Sequence, residues 1–162
     1  MERRTHDYVR NGVTDLFAAL NVVTGEVIAT TRRRHRAEEF EAFLIEFDKA
    51  VPAHLDVHVV LDNSSTHSEV SVRAWLDAHP RFKLHFVPTS SSWLNLVESV
   101  FADLTKRRLR RGTFPSLDHL VKAIIEYLDH RNRDPKPFVW TASVDSILAK
   151  LRSCMPITET IH

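Results

Sequence analysis

Apolar and polar positions in the first third of the chain predict a hairpin followed by a helix. An apolar, β-branched run covers 13–23, Gly25 interrupts it, and a second run covers 27–31. Two such runs around a short break that contains glycine are typical of a β-hairpin. The region 37–51 predicts an amphipathic helix because its apolar residues recur at helical spacing, namely Phe40, Phe43, Leu44 and Phe47. Pro52 lies beyond its end.

The rest of the chain alternates predicted strands and helices, which indicates an α/β or α+β domain, and we take the α/β class as the prediction. The nearly continuous apolar run at 57–61 predicts a strand buried on both faces, as at the centre of a parallel sheet. A second short strand is predicted at 83–87. Helices are predicted at 69–79, 93–109, 117–127 and 144–151. This order favours a mixed sheet flanked by helices.

Composition narrows the class of protein without naming a function. The chain has 162 residues, of which 43% are hydrophobic and 27% charged, as expected for one globular domain. The single cysteine, Cys154, excludes an internal disulfide and a cysteine-based zinc site. Lysine and arginine number 22 against 21 acidic residues, which excludes a uniformly basic protein. No secretory or membrane-spanning pattern is present, so we expect a cytoplasmic protein without a membrane partner.

Asp62 is the first candidate for chemistry. It directly follows the predicted strand 57–61, and the carboxyl ends of strands are where α/β sheets gather their ligands and catalytic groups. The alternative is that Asp62 caps a turn or the next helix, which is a frequent use of aspartate.

Glu98 is the second candidate. It lies within or beside the apolar face of the helix predicted at 93–109, where a carboxylate is rarely buried unless it is paired or binds a metal. The alternative is a boundary glutamate that pairs with a nearby arginine. Asn95 lies on the same side, one turn earlier. Asp62 and Glu98 together offer the hard oxygen ligands that Mg²⁺ or Mn²⁺ prefers, with phosphate oxygens as further ligands.

Two basic clusters provide an independent indication of a phosphate-bearing partner. They are Arg32, Arg33, Arg34 and Arg36 in the first, and Lys106, Arg107, Arg108, Arg110 and Arg111 in the second. Two clusters near a carboxylate pair favour binding to a nucleic-acid backbone, whereas either cluster alone is typical of a solvated face. His67 is a weaker candidate, as a donor facing the site.

Several segments resemble the mariner-like DDE transposases of bacterial insertion sequences. The segment 60–67, Val-Leu-Asp-Asn-Ser-Ser-Thr-His, resembles their second-carboxylate motif, and 86–98, with its Trp-Leu-Asn-x-x-Glu core, resembles their third-carboxylate motif. Further similar segments, in the same order, are 5–8, 16–20, 110–114 and 132–141. The resemblance runs from about residue 5 to residue 151 and implies an RNase H-like fold.

The resemblance implies a role for each candidate residue. Asp62 is then the second metal-binding carboxylate and Glu98 the third, while Asn63, Asn95 and His67 position substrate or support the ligands. Such enzymes cut DNA at transposon ends and join the ends to target DNA with two Mg²⁺ or Mn²⁺ ions. They act as homodimers.

The resemblance also implies that part of the family's domain is missing. The first aspartate belongs to a central strand upstream of 5–8, so we expect a partial catalytic domain at 1–152, a tail at 153–162, and no activity by the chain alone. An upstream transposase fragment would then be a partner. Asp15 is a poor substitute for the missing aspartate because the resemblance places it on the next strand. The alternatives are a non-catalytic fragment that binds DNA or a transposase, and a relic without function.

Overall fold

A computed structural model describes residues 12–62, 69–87, 96–139 and 142–154. The strands are β1 (Asp15–Leu20), β2 (Val27–Arg32), β3 (Val57–Leu61) and β4 (Phe82–Phe86). The helices are α1 (Ala37–Ala50), α2 (Val70–Ala78), α3 (Val97–Leu104), α4 (Leu117–Arg133) and α5 (Val144–Cys154). Helix α3 runs directly into a π turn, Thr105–Leu109. Within the described ranges, every helix is too short or too polar to span a membrane.

The strands pair in two separate sheets. The predicted hairpin is confirmed: β1 and β2 are antiparallel, with Asp15 opposite Arg32 and Leu20 opposite Val27. Strands β3 and β4 form a parallel pair; the apolar run at 57–61 indicated a parallel sheet but not its partner strand. The expected single mixed sheet is not formed by the described residues, whose four strands make two sheets of two strands each.

The hairpin lies between helices on both of its faces. Phe17 of β1 belongs to a core with the α1 side chains Phe40, Phe43 and Leu44. On the opposite face Val27 of β2 packs with Val100 and Leu104 of α3 and with Ile124 and Leu128 of α4. This explains why both faces of the hairpin strands carry apolar residues.

The prediction that the strand 57–61 is buried on both faces is wrong. Val57 and Leu61 are buried in the same core as α1, but Val60 is 50% exposed. His58 is exposed as well, and its ring stacks on His85 of β4 with centroids 5.1 Å apart. Side chains alternate between the faces of a strand, and the described part of the chain buries one of these faces and leaves the other accessible.

Arg81 fixes the β3–β4 sheet against the end of α1. Its guanidinium donates to Asp48 Oδ1 at 2.7 Å and to the carbonyl oxygens of Pro52 and Leu55. A planar guanidinium with several donors can satisfy carbonyl groups of a helix end and a carboxylate at once. The sheet therefore has a fixed position on α1 although it is not paired with the hairpin.

The segment after α4 closes one end of the hairpin. Helix α4 begins at Leu117, as predicted, and is capped by Ser116, but it extends six residues beyond the predicted end at residue 127. Near its last turn, Asn132 accepts from the Val27 N–H at 2.9 Å and donates to the Val27 carbonyl at 2.8 Å. The Phe138 N–H then donates to the Val22 carbonyl in the hairpin turn. Gly25 has φ +82° and no room for a side chain, because a Cβ there would lie 2.0 Å from the Lys136 carbonyl oxygen.

Candidate functional site

Asp62 lies at the position the sequence predicted, directly after β3 at its carboxyl end. Leu61 before it is buried, whereas Asp62 itself is exposed. The strand therefore presents this carboxylate to solvent at the sheet end where α/β proteins bind ligands. The associated candidates Asn63 and His67 lie outside the described residues, as does Asn95.

Glu98 lies in the first turn of α3 and is exposed. The buried stripe of this helix is formed by Val100 and Leu104, each 2% exposed, which face the hairpin. Glu98 thus lies beside the apolar face and not within it, one of the two positions that the sequence left open. Helical spacing places it on the outer side of α3.

An open groove runs along this outer side of α3 and the π turn. It has a volume of about 500 Å³, which is within the range of ligand clefts. Its lining residues are Glu98, Phe101, Ala102, Thr105, Lys106 and Arg110. A carboxylate therefore lies at one end, an apolar wall in the middle, and two cations at the other end. Phe101 and Thr105 were not among the candidates from the sequence. They follow Glu98 by three and seven residues, and this helical spacing is the signal that could have identified them as its neighbours.

The described residues do not bring three metal ligands together. Asp62 is not part of the groove that Glu98 lines. No group of three or more His, Cys, Asp or Glu side chains within the described ranges could hold a metal ion. Asp15, the weak substitute for a first aspartate, lies half-buried at the start of β1.

The basic cluster at 106–111 divides into two groups. Arg107 donates to Asp103 Oδ1 at 2.8 Å, and the Tyr127 hydroxyl of α4 donates to Asp103 Oδ2 at 3.1 Å. Arg108 makes an ion pair with Glu126 of α4 at 3.6 Å. Lys106, Arg110 and Arg111 are exposed and form no ion pair with any described residue. Arg108 therefore connects the π turn to α4, Arg107 is held by Asp103, which also bonds to α4, and the other three cations form no ion pair with a described residue.

The contacts of Asp103 lower the pKa of its carboxyl group. The hydrogen bond from Arg107, together with that from Tyr127, lowers the pKa of Asp103 although partial burial opposes this. Burial raises the pKa of the Tyr127 hydroxyl, and its hydrogen bond to Asp103 raises it further. Hydrogen bonds to a carboxylate favour its charged form, so Asp103 is ionised near neutral pH.

The first basic cluster is divided in the same way. Arg32 makes an ion pair with Glu46 of α1, whereas Arg33, Arg34 and Arg36 are exposed in the connection to α1. The His35 ring stacks on Phe17, with centroids 4.6 Å apart. This contact holds the connection against the core while its three arginines point to solvent.

Comparisons with known proteins agree with the resemblance in the motifs at the level of the DDE superfamily. Residues 1–121 match the family model described as DDE superfamily endonuclease. The chain is 23% identical over 114 residues to "Insertion element IS630 uncharacterized 39 kDa protein" of Shigella sonnei. That match covers 70% of this chain but 33% of the relative, so the chain spans about a third of its length.

Two solved structures share the fold of this chain. The crystal structure of the catalytic core domain of BIV integrase superposes with a TM-score of 0.56 at 13% identity, covering 86% of this chain and 89% of the core domain. A chain of the simian T-cell lymphotropic virus intasome, in complex with PP2A regulatory subunit B56 gamma, gives 0.55 at 18% identity, covering 86% and 57%. The fold is therefore RNase H-like, as expected from the motifs.

Proposed function

Because this chain belongs to the DDE superfamily endonucleases, we propose that it is the carboxyl-terminal part of a transposase catalytic domain of the mariner-like group. Its reaction is then metal-dependent DNA cleavage and strand transfer. The observation that carries this proposal is the placement of two exposed carboxylates within the family match, Asp62 at the end of β3 and Glu98 in the first turn of α3.

The two carboxylates fit a hard divalent cation. Mg²⁺ is usually held by one or two protein carboxylates, with water and substrate phosphate as the remaining ligands, and both carboxylates are accessible to such a ligand set. When bound, Mg²⁺ or Mn²⁺ supplies a Lewis acid that polarises the phosphodiester and lowers the pKa of the attacking water. Asp62 and Glu98 act as ligands, while Asn63, Asn95 and His67 orient substrate. The exposed cations of both basic clusters hold the flanking phosphates.

The first carboxylate is proposed to come from an upstream strand that lies between β1 and β3. The hairpin bond from the Asn21 N–H to the Glu26 carbonyl sets the alternation of an antiparallel pair. Leu16, Ala18 and Leu20 therefore direct their backbone groups away from β2. On the other edge of the hairpin, along β2, the Val27 N–H and carbonyl are already bonded to the Asn132 side chain. The free edge for a further strand is therefore that of β1.

Strand β3 offers a matching edge. The Leu61 carbonyl bonds towards β4, so His58 and Val60 direct their backbone groups to the opposite side. Both sheets pack on α1, since Phe17 and Leu61 belong to one core. A strand added there would join two sheets into one, and its aspartate would lie near Asp62. Without it, we expect the chain alone to be inactive.

Nicking of a supercoiled plasmid in Mg²⁺ or Mn²⁺ tests this function. The chain is assayed alone and together with the segment encoded upstream of Met1. We expect nicking only in the second case. Asp62→Asn or Glu98→Gln should then reduce the nicking rate by at least about 100-fold, because loss of a metal ligand lowers activity more than loss of a residue that supports a ligand. The matched exposed carboxylates Asp56→Asn and Glu38→Gln serve as controls. Equal nicking by the Asp62 and Glu98 variants and the wild type would overturn the assignment.

A non-catalytic fragment that binds DNA or a complete transposase is the second candidate. It is favoured by the exposed cations Arg33, Arg34, Arg36 and Arg111, which need no metal to attract phosphate. Salt-dependent DNA binding without nicking, even when the upstream segment is present, would support it over the enzyme. The complete protein is proposed to act as a homodimer, which sedimentation of the two segments together can test.

A further inference from the structure

We infer that the groove beside Glu98 is the track of a single DNA strand whose phosphates are held by Lys106 and Arg110. The identity of the strand, as the one whose phosphodiester lies at the carboxylates, rests on the proposed function. Residues 106–111 contain five basic side chains. The geometry of α3 and its π turn selects Lys106 and Arg110 from among them.

The π turn brings Arg110 to the Glu98 side of the helix. In a continuous α-helix the 12 residues from Glu98 to Arg110 would rotate the side chain about 120° away, at 3.6 residues per turn. The Arg110 N–H instead donates to the Thr105 carbonyl at 2.9 Å, five residues back. Such a turn holds about one extra residue, which reduces the rotation to about 20°. Arg110 therefore lines the groove together with Glu98 and Lys106.

Ion pairs distinguish the two groove cations from Arg107 and Arg108, whereas Arg111, which also lacks an ion pair among the described residues, does not line the groove. Arg107 is held by Asp103 and Arg108 by Glu126, so each would have to lose a carboxylate partner to bind phosphate. Lys106 and Arg110 have no carboxylate partner among the described residues and are exposed. Phosphate binding at these two positions therefore disrupts no existing ion pair.

The dimensions and surface of the groove fit one strand. At 1.5 Å of helix rise per residue, Lys106 lies about 12 Å and Arg110 about 18 Å along the axis from Glu98. The two cations therefore lie beyond the carboxylate end of the groove, where they can hold phosphates further along the same strand. Phe101 and Ala102 lie between the charged ends and offer an apolar wall to sugars and bases, since aromatic side chains bind unpaired bases by stacking.

Salt dependence of single-stranded DNA binding, measured in EDTA, tests the track without catalysis. Removal of one phosphate-binding cation reduces the steepness of log K against log salt by about 0.7 for single strands. We expect that decrease for Lys106→Ala and for Arg110→Ala. The matched controls are Lys49→Ala on α1 and Arg73→Ala on α2, both exposed on helices away from α3, and they should keep the wild-type slope. Unchanged slopes for both groove variants would overturn the proposal.

Cross-linking locates the strand independently. In a Cys154→Ser background, Ala102→Cys places a thiol in the groove, and Ala74→Cys places one on exposed α2. A single-stranded oligonucleotide with a phosphate-tethered, disulfide-activated thiol should couple to the first variant and not to the second. Equal coupling to both variants overturns the track. Coupling at Ala102→Cys, together with absence of nicking in the assay above, supports the track and rejects the enzymatic function.

Discussion

Replacement of Asn132 by alanine provides a sharp test of how the hairpin is held. The Asn132 amide satisfies both the N–H and the carbonyl of Val27, a residue that is 4% exposed and packs against α3 and α4. A buried backbone group without a partner costs about 1–3 kcal/mol. The substitution leaves two such groups without a partner, and water that reaches them in the variant lowers their combined cost. Asn132→Ala should therefore lower the free energy of unfolding by about 2–4 kcal/mol.

Urea denaturation followed by circular dichroism measures this loss. In a thermal unfolding experiment on a chain of this size, the same loss corresponds to a decrease in Tm of roughly 4–16 °C, at about 2–4 °C per kcal/mol. Asp129→Ala, at an exposed position of the same helix, controls for the change in helix propensity and should change the free energy of unfolding by less than about 0.5 kcal/mol. A loss for Asn132→Ala no larger than this control would show that the two bonds to Val27 do not stabilise the hairpin.

Two further changes test the contacts around α4. Gly25→Ala should destabilise the protein by more than about 1 kcal/mol, because the new Cβ meets the Lys136 carbonyl and the positive φ is strained; an unchanged urea midpoint would contradict this. Asp103 has a lowered pKa because Arg107 and Tyr127 donate to it, so its contribution is complete above its unfolded pKa of about 4 and is lost as the pH falls through the folded value. Wild type should therefore exceed Asp103→Asn in stability at pH 7 by about 0.5 kcal/mol or less, since the pair is exposed, and the difference should vanish near pH 2. A difference that persists at pH 2 would show that charge is not its cause.

The local elements of this fold follow from the order of residues. The hairpin, α1 and a strand at each of β3 and β4 were predictable because each depends on apolar spacing within short segments. The pairing of β3 with β4 was not predicted, because it depends on contacts between separate segments. Asp62 at the end of a strand was predictable for the same reason. The Asn132 segment was recognisable as a family motif, but its role was not, because its partner Val27 lies 105 residues away.

The burial of β3 shows where apolar pattern is insufficient. Val60 is as apolar as Val57, yet it is 50% exposed while Val57 is 7% exposed. Strand alternation assigns the two residues to opposite faces, and the packing of α1 then selects the face that is buried. The sequence therefore overestimated how much of this strand is buried.

Motifs and periodicity are local properties, so the family, the α/β class and the two carboxylate candidates could be identified from the order of residues alone. The division of the basic cluster at 106–111 could not, because Arg108 pairs with Glu126 of another helix and Asp103 is shared with Tyr127. The position of Arg110 beside Glu98 also had to come from the folded chain, since Thr-Lys-Arg-Arg-Leu carries no signal for a π turn. The chemistry of each side chain is set by its residue type, but which charges are available depends on contacts between distant segments.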